Sequence, residues 1–117
     1  MSEKFIQLIR KPTQEEQHIL EVLVAKTSKI NLPAKWLETL EVQEMDDGGM
    51  GSLRLIFPNT SSKEKVFGKQ ASELVFNDED GVKVVATLNL DSTDMPIELD
   101  LWKTDFSPLI RIPKDLI

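Results

Sequence analysis

Between Ser72 and Ile117 the chain alternates apolar and polar positions in runs that fold naturally against one another. Val82, Val84, Ala86, Leu88 and Leu90 alternate with Lys83, Val85, Thr87 and Asn89, the period of a strand that buries one face. The run Ser72-Glu73-Leu74-Val75-Phe76 precedes it across Asn77-Asp78-Glu79-Asp80-Gly81, a segment of residues that tolerate turn geometry. Closing that turn predicts Phe76 opposite Val82 and Leu74 opposite Val84. The next connection, Asp91-Ser92-Thr93-Asp94, predicts Leu88 opposite Ile97, Ala86 opposite Leu99 and Val84 opposite Leu101. A further turn at Thr104-Asp105-Phe106-Ser107, followed by Pro108, predicts a strand near 109–112, with Leu101 facing Ile110 and Leu99 facing Ile112. On the other face this register sets Asp100 against Arg111, Trp102 against Leu109 and Lys83, and Val85 against Asp100.

The N-terminal half reads as helical. Thr13 and Glu16 have the spacing of a capping box, and Ile19, Leu20, Leu23 and Val24 form an apolar stripe behind it, predicting a helix from Thr13 to about Ser28. A shorter helix is expected over Ala34 to Leu40, opened by Pro33 and anchored by Trp36, Leu37 and Leu40. Leu40 to Glu44 and Leu53 to Phe57 flank Asp46-Asp47-Gly48-Gly49-Met50-Gly51, which predicts a hairpin with a glycine-rich loop. The polar stretch Pro58 to Lys65 is expected to be the most mobile part of the molecule. The fold class is therefore α+β: an N-terminal helix, plus a short second helix, packed on an antiparallel β-meander in a single domain spanning 1–117.

Composition narrows the function more than it defines it. The chain has 40% hydrophobic and 29% charged residues, a balance expected of a globular protein. No apolar run approaches the roughly 20 residues needed to cross a bilayer, and Met1 to Arg10 lacks the apolar centre of a signal peptide. The expectation is a cytoplasmic protein without membrane association. There is no cysteine, which excludes thiolate catalysis, disulfides and cysteine-ligated zinc. A net charge of −6 argues against nucleic acid as a partner and favours a cationic one.

Candidate chemistry is sparse. His18 is the only histidine and sits within the first helix among boundary residues. The glycine loop lacks the Lys-Ser or Lys-Thr of a phosphate-binding loop and does not open a helix. Asp78-Glu79-Asp80-Gly81 resembles a fragment of a calcium loop but lacks its remaining ligand positions, so it reads as a turn. Glu98 and Asp100 share a strand face as paired carboxylates do in hydrolases, yet the expected Asp100–Arg111 pair is an ordinary cross-strand contact. No catalytic residue, cofactor or metal ligand is assigned.

Trp102 is the residue most suggestive of function. It stands opposite the buried phase of its strand, with Glu98, Asp100, Val85, Leu109 and Arg111 expected around it, an apolar anchor rimmed by charge. Two readings stand side by side. The N-terminal segment around Phe5, Ile6, Leu8 and Ile9 covers the tryptophan, or the face is left open for a partner.

Asp46-Asp47-Gly48-Gly49-Met50-Gly51-Ser52-Leu53, taken with Glu98 through Pro113 and the helix opened by Pro12, Thr13 and Glu16, resembles small bacterial proteins of unknown function. Such proteins look like immunity or accessory proteins encoded beside secreted toxins, which implies binding in place of catalysis. The leading expectation is a non-enzymatic protein-binding domain, such as an immunity protein that blocks a basic toxin through an acidic surface. The alternatives are a structural homo-oligomeric module that self-associates through the Trp102 face, and a small hydrolase built on Asp46, Asp47, Glu98 and Asp100. A toxin-like reading frame beside the gene distinguishes the first from the others.

Overall fold

Thr13 starts the first helix as its spacing requires. Its hydroxyl accepts from the Glu16 N–H at 3.1 Å, and the Glu16 carboxylate accepts from the Thr13 N–H at 2.9 Å. These bonds satisfy two donors that a helix start leaves without partners. In the computed structural model, which describes residues 8–58 and 66–116, this helix is α1, Gln14–Ala25. It stops short of the expected Ser28 because the Leu23 carbonyl is taken by the hydroxyls of Thr27, at 2.9 Å, and Ser72, at 2.7 Å. The latter bond ties the end of the helix to the sheet.

A strand β1, Ile9–Arg10, precedes α1, and a short helix α2, Trp36–Thr39, follows it. The second helix begins later than Ala34 because Lys35 takes a left-handed conformation, φ 55°, before it. Leu40 is buried and Trp36 packs partly against the core, as their apolar character requires. Strands β2, Glu41–Glu44, and β3, Leu53–Ile56, then form the expected hairpin, with Val42 opposite Leu55.

Strands β4, Phe67–Asn77, β5, Lys83–Asp91, and β6, Pro96–Lys103, make the meander. The six strands form one sheet in the order β1-β2-β3-β6-β5-β4, antiparallel throughout. The fold is thus the expected α+β arrangement, but the register of both long hairpins differs from the expectation. Phe76 pairs with Val84 and Leu74 with Ala86, while Ala86 pairs with Leu101 and Leu88 with Leu99. Each is displaced by an even number of positions, so these side chains keep their predicted face, while Ile97 falls in an irregularity and Pro96 takes the buried position opposite Leu90 in its place. The turns explain the displacement. Asp78 remains bonded to Val82 through its N–H at 2.9 Å, and Gly81, at φ 82°, closes the bend. In the second turn the Asp91 carboxylate accepts from the N–H groups of Thr93 and Met95, and a bulge between Asn89 and Leu90 absorbs the extra residue.

The expected strand at 109–112 does not form. β6 already has β5 along one edge and β3 along the other, where Leu53 pairs with Leu99 and Arg54 with Glu98. The chain turns away at Phe106, φ 65°, and its backbone donors go elsewhere: Leu109 N–H to the Gly49 carbonyl, Ile110 and Arg111 N–H to Asp78. Hence the Leu101–Ile110, Leu99–Ile112, Asp100–Arg111 and Trp102–Leu109 pairs are all absent, and Ile112 is instead buried in the core. Val85 lies opposite Trp102, displacing Lys83, and Thr87 lies opposite Asp100, displacing Val85.

The core lies between α1 and one face of the sheet. Ile19, Leu20 and Leu23 from the helix meet Val42, Leu53, Val84, Ala86, Leu88, Leu90, Leu99 and Leu101, all essentially inaccessible to solvent. Residues 59–65 of the stretch expected to be mobile lie outside the described residues, as do Phe5 and Ile6.

β4 begins with a bulge between Phe67 and Lys69, where Gly68 lies so close to the Asp91 backbone that a Cβ would overlap its carbonyl oxygen. Backbone atoms there have little freedom to give way. Gly68→Ala should therefore lower the stability to urea by about 2 kcal/mol, as overpacking does. An unchanged urea midpoint would show that the bulge is not held by this approach.

Candidate functional site

Lys103 lies in the same inward phase of β6 as Leu99 and Leu101, and the displaced register sets it opposite Val84. Its side chain is 1% exposed, and its ammonium donates to Asp78 Oδ2 at 2.9 Å, Asp80 Oδ2 at 2.7 Å and the Pro108 carbonyl at 3.1 Å. Three donors meet three acceptors. Asp78, equally inaccessible, also accepts from the N–H groups of Glu79 at 2.8 Å, Ile110 at 2.7 Å and Arg111 at 3.0 Å. Burial opposes the charge on Asp78, but the Ile110 N–H, Lys103 and the remaining backbone donors outweigh it and hold the carboxyl below its ordinary range. Burial likewise opposes the charge on Lys103, and Asp80 and Asp78 together raise its pKa.

This clasp joins the β4–β5 turn, the end of β6 and the crossing segment. Its chemistry is structural, since neither group keeps a free donor, a free lone pair directed at solvent, or access for a substrate. Asp78 and Asp80 form the expected turn and enclose an ammonium. Among the described residues no group of His, Asp and Glu side chains is arranged to hold a metal ion.

The other candidates are similarly occupied. Asp47 accepts from the Met50 and Ser52 N–H groups at 3.1 and 3.0 Å and shapes the glycine loop. Ser52 is buried, accepts from the Leu101 N–H at 2.9 Å and donates toward Asp100 at 3.2 Å, so its hydroxyl continues the β3–β6 ladder. Glu98 accepts from Asn89 at 3.0 Å on the neighbouring strand. His18 Nε2 lies 3.1 Å from the Lys114 carbonyl, a contact between α1 and the C-terminal segment. An open depression of about 290 Å³ is lined by Asn77, Glu79, Arg111, Pro113 and Lys114, mostly charged and shallow, with no convergent apolar wall.

The face of the sheet away from α1 is different in kind. Val75 pairs with Val85 and Val85 with Trp102, forming an apolar row across β4, β5 and β6. Glu73, Thr87 and Asp100 form the polar row on one side, and Asn77 and Lys83 border it on the other. Trp102 is 43% exposed and Phe106 is 68% exposed, and their ring centroids are 6.2 Å apart at 54°, an edge-tilted aromatic pair open to solvent.

Of the residues expected around Trp102, the structure gathers Val85, Asp100 and Glu98 on this face. Leu109 and Arg111 do not belong to it. Leu109 packs against the core beside Gly51, and the Arg111 guanidinium binds Glu15 of α1 at 2.7 Å. Val75 and Phe106 take their place. Val75 was legible as an apolar residue in the outward phase of its strand, like Val85, whereas Phe106 depended on the shape of a turn.

The cover expected from Leu8 and Ile9 is absent as well. Ile9 pairs with Gln43 at the far edge of the sheet, with β2 and β3 between it and β6, and both residues are largely exposed.

These features define a small α+β domain whose antiparallel sheet is covered by a helix on one side and presents an aromatic pair on the other. Residues 9–113 match the family described as Domain of unknown function (DUF6984), and the chain belongs to that family. Comparison with curated proteins and with solved structures found no match. No helix of the described residues is long and apolar enough to cross a membrane.

The clasp sets a pH dependence. Asp78 is held below 3.8, so its contribution is complete at neutral pH and lost as pH falls through the folded-state value. Lys103 is held above 10.5, so its contribution is complete below that value and lost as pH rises through the folded one. Asp78→Asn should destabilise the protein by about 3 kcal/mol at neutral pH, because it leaves a buried ammonium short of a partner. The deficit should shrink in acid, below pH 3.8, where the wild-type carboxyl also becomes protonated. Urea unfolding across the pH range measures both, and a deficit that grows in acid would contradict the assignment.

Proposed function

We propose that this chain is a non-catalytic protein-binding domain whose recognition surface is the sheet face carrying Trp102, Phe106, Val85 and Val75. The observation that supports the reading most strongly is the exposed Trp102–Phe106 pair, continuous with an apolar row and bordered by Glu73 and Asp100. A monomer gains nothing from leaving two large aromatic rings in water, whereas an interface uses such rings as anchors. Against the hydrolase alternative weighs that three of its four carboxylates, Asp47, Glu98 and Asp100, each have a partner in the fold. With a net charge of −6 and carboxylates along one border of the face, the partner that fits is a basic protein. An immunity protein bound to a basic bacterial toxin is the specific form of this proposal.

The test compares wild type with Trp102→Ala in affinity capture from host extract, followed by titration of the retained protein. Trp102→Ala should weaken binding by about 2 kcal/mol or more while leaving the urea midpoint of the free protein nearly unchanged, since the side chain is already half in water. Asp47→Asn, away from the face, should leave binding intact. Equal retention by wild type and Trp102→Ala would remove the face from the proposal, and so would a large loss of stability in the variant.

A further inference from the structure

We propose that the protein forms a two-fold symmetric dimer by antiparallel pairing of β4 with β4 of a second copy, centred on Val75. The inference is independent of the partner proposed above, because it rests on the sheet edge and not on the aromatic face.

β4 ends the sheet, and among the described residues no strand lies along its outer side. Which of its backbone groups point outward follows from the ladder. The Asp78 N–H bonds to the Val82 carbonyl, so the even-numbered residues at this end of β4 direct their N–H and C=O groups to β5. The Thr104 N–H bonds to the Lys83 carbonyl, which gives the odd-numbered residues of β5 to β6 and agrees with that alternation. Glu73, Val75 and Asn77 therefore direct their backbone donors and acceptors at the open edge.

Folded proteins usually spoil such an edge with bulges, prolines or charge. Here the spoiling is confined to one half of the strand. The irregularities fall between Phe67 and Lys69 and between Gln70 and Ser72, while the ladder from Ser72 to Asn77 is regular. The regular half carries Val75, which is 53% exposed at its middle.

The sequence of this half is self-complementary in one register. With Val75 opposite the partner's Val75, Glu73 meets the partner's Asn77, a carboxylate against an amide donor. Leu74 meets the partner's Phe76 on the core side. Moving the centre to Leu74 sets Glu73 against the partner's Val75 and loses the carboxylate–amide pair, moving it to Glu73 sets two carboxylates against each other, and moving it to Phe76 sets Glu73 against the partner's Glu79, so none of these arrangements matches the Val75-centred one. An antiparallel pair about a two-fold axis closes on itself and leaves neither copy with this edge open. The Val75–Val85–Trp102 row would then run unbroken across both subunits.

Sedimentation velocity from about 10 µM to about 1 mM tests the proposal. Wild type should approach twice the monomer mass of 13.3 kDa, and Val75→Lys, which places two ammonium groups face to face, should sediment at 13.3 kDa. Asn77→Lys gives Glu73 an opposite charge and should tighten the dimer several-fold. A second measurement needs no variant: the Glu73, Val75 and Asn77 amides should gain protection from hydrogen exchange as concentration rises, while Leu74 and Phe76 are protected throughout. Wild type that stays monomeric across the range would overturn the proposal. So would a Val75→Lys dimer, one lost only with Trp102→Ala, or exchange at the three amides that is independent of concentration.

Discussion

The end of the sheet depends on the burial of one ammonium. Lys103 sits on the core side of β6, where an unpaired charge would be prohibitive, and the fold supplies Asp78, Asp80 and the Pro108 carbonyl around it. Asp78 in turn takes up the N–H groups of Ile110 and Arg111. One buried pair thereby fixes the β4–β5 turn, draws the C-terminal segment beneath the sheet and places Ile112 in the core. The same commitment keeps the segment after Pro108 from extending the meander. It also leaves Phe106 at the exit of the turn, beside Trp102.

The legibility of this fold in its sequence follows from the arithmetic of strands. Thr13 and Glu16 announce the helix start because their chemistry is local, and the capping bonds form as that chemistry requires. The alternation of Val84, Ala86, Leu88, Leu99 and Leu101 announces the buried face. Alternation fixes a face only modulo two, and both hairpins settled an even number of positions from the expected register without exposing a single core residue. Which even register is chosen depends on the Asp78 and Asp91 carboxylates binding their own turns, and such bonds leave no periodic trace. Lys103 did leave a signal, a charge in the inward phase of a strand, and a charge there calls for a buried counter-charge nearby.

The face around Trp102 was partly legible for the same reason. Val75, Val85 and Trp102 occupy outward phases where a wholly solvated face would carry polar residues. Arg111 and Leu109 were misplaced with the strand that does not form, and the aromatic pair was hidden because Phe106 reaches Trp102 through turn geometry. The two sides of the sheet therefore obey different demands. The inner side is closed by α1 and the clasp, with every buried charge answered. The outer side keeps apolar surface that the described residues leave open, and that asymmetry is what separates a binding reading from a purely structural one.

Whether Trp102 stands in water is the claim on which the functional account rests. With Trp36 replaced by Phe, fluorescence reports on Trp102 alone, the remaining one of the two tryptophans. An open face predicts emission close to that of an indole in water and strong quenching by acrylamide in the folded protein. Blue-shifted emission shielded from the quencher would mean that another segment of the chain closes over the ring, and would contradict the account.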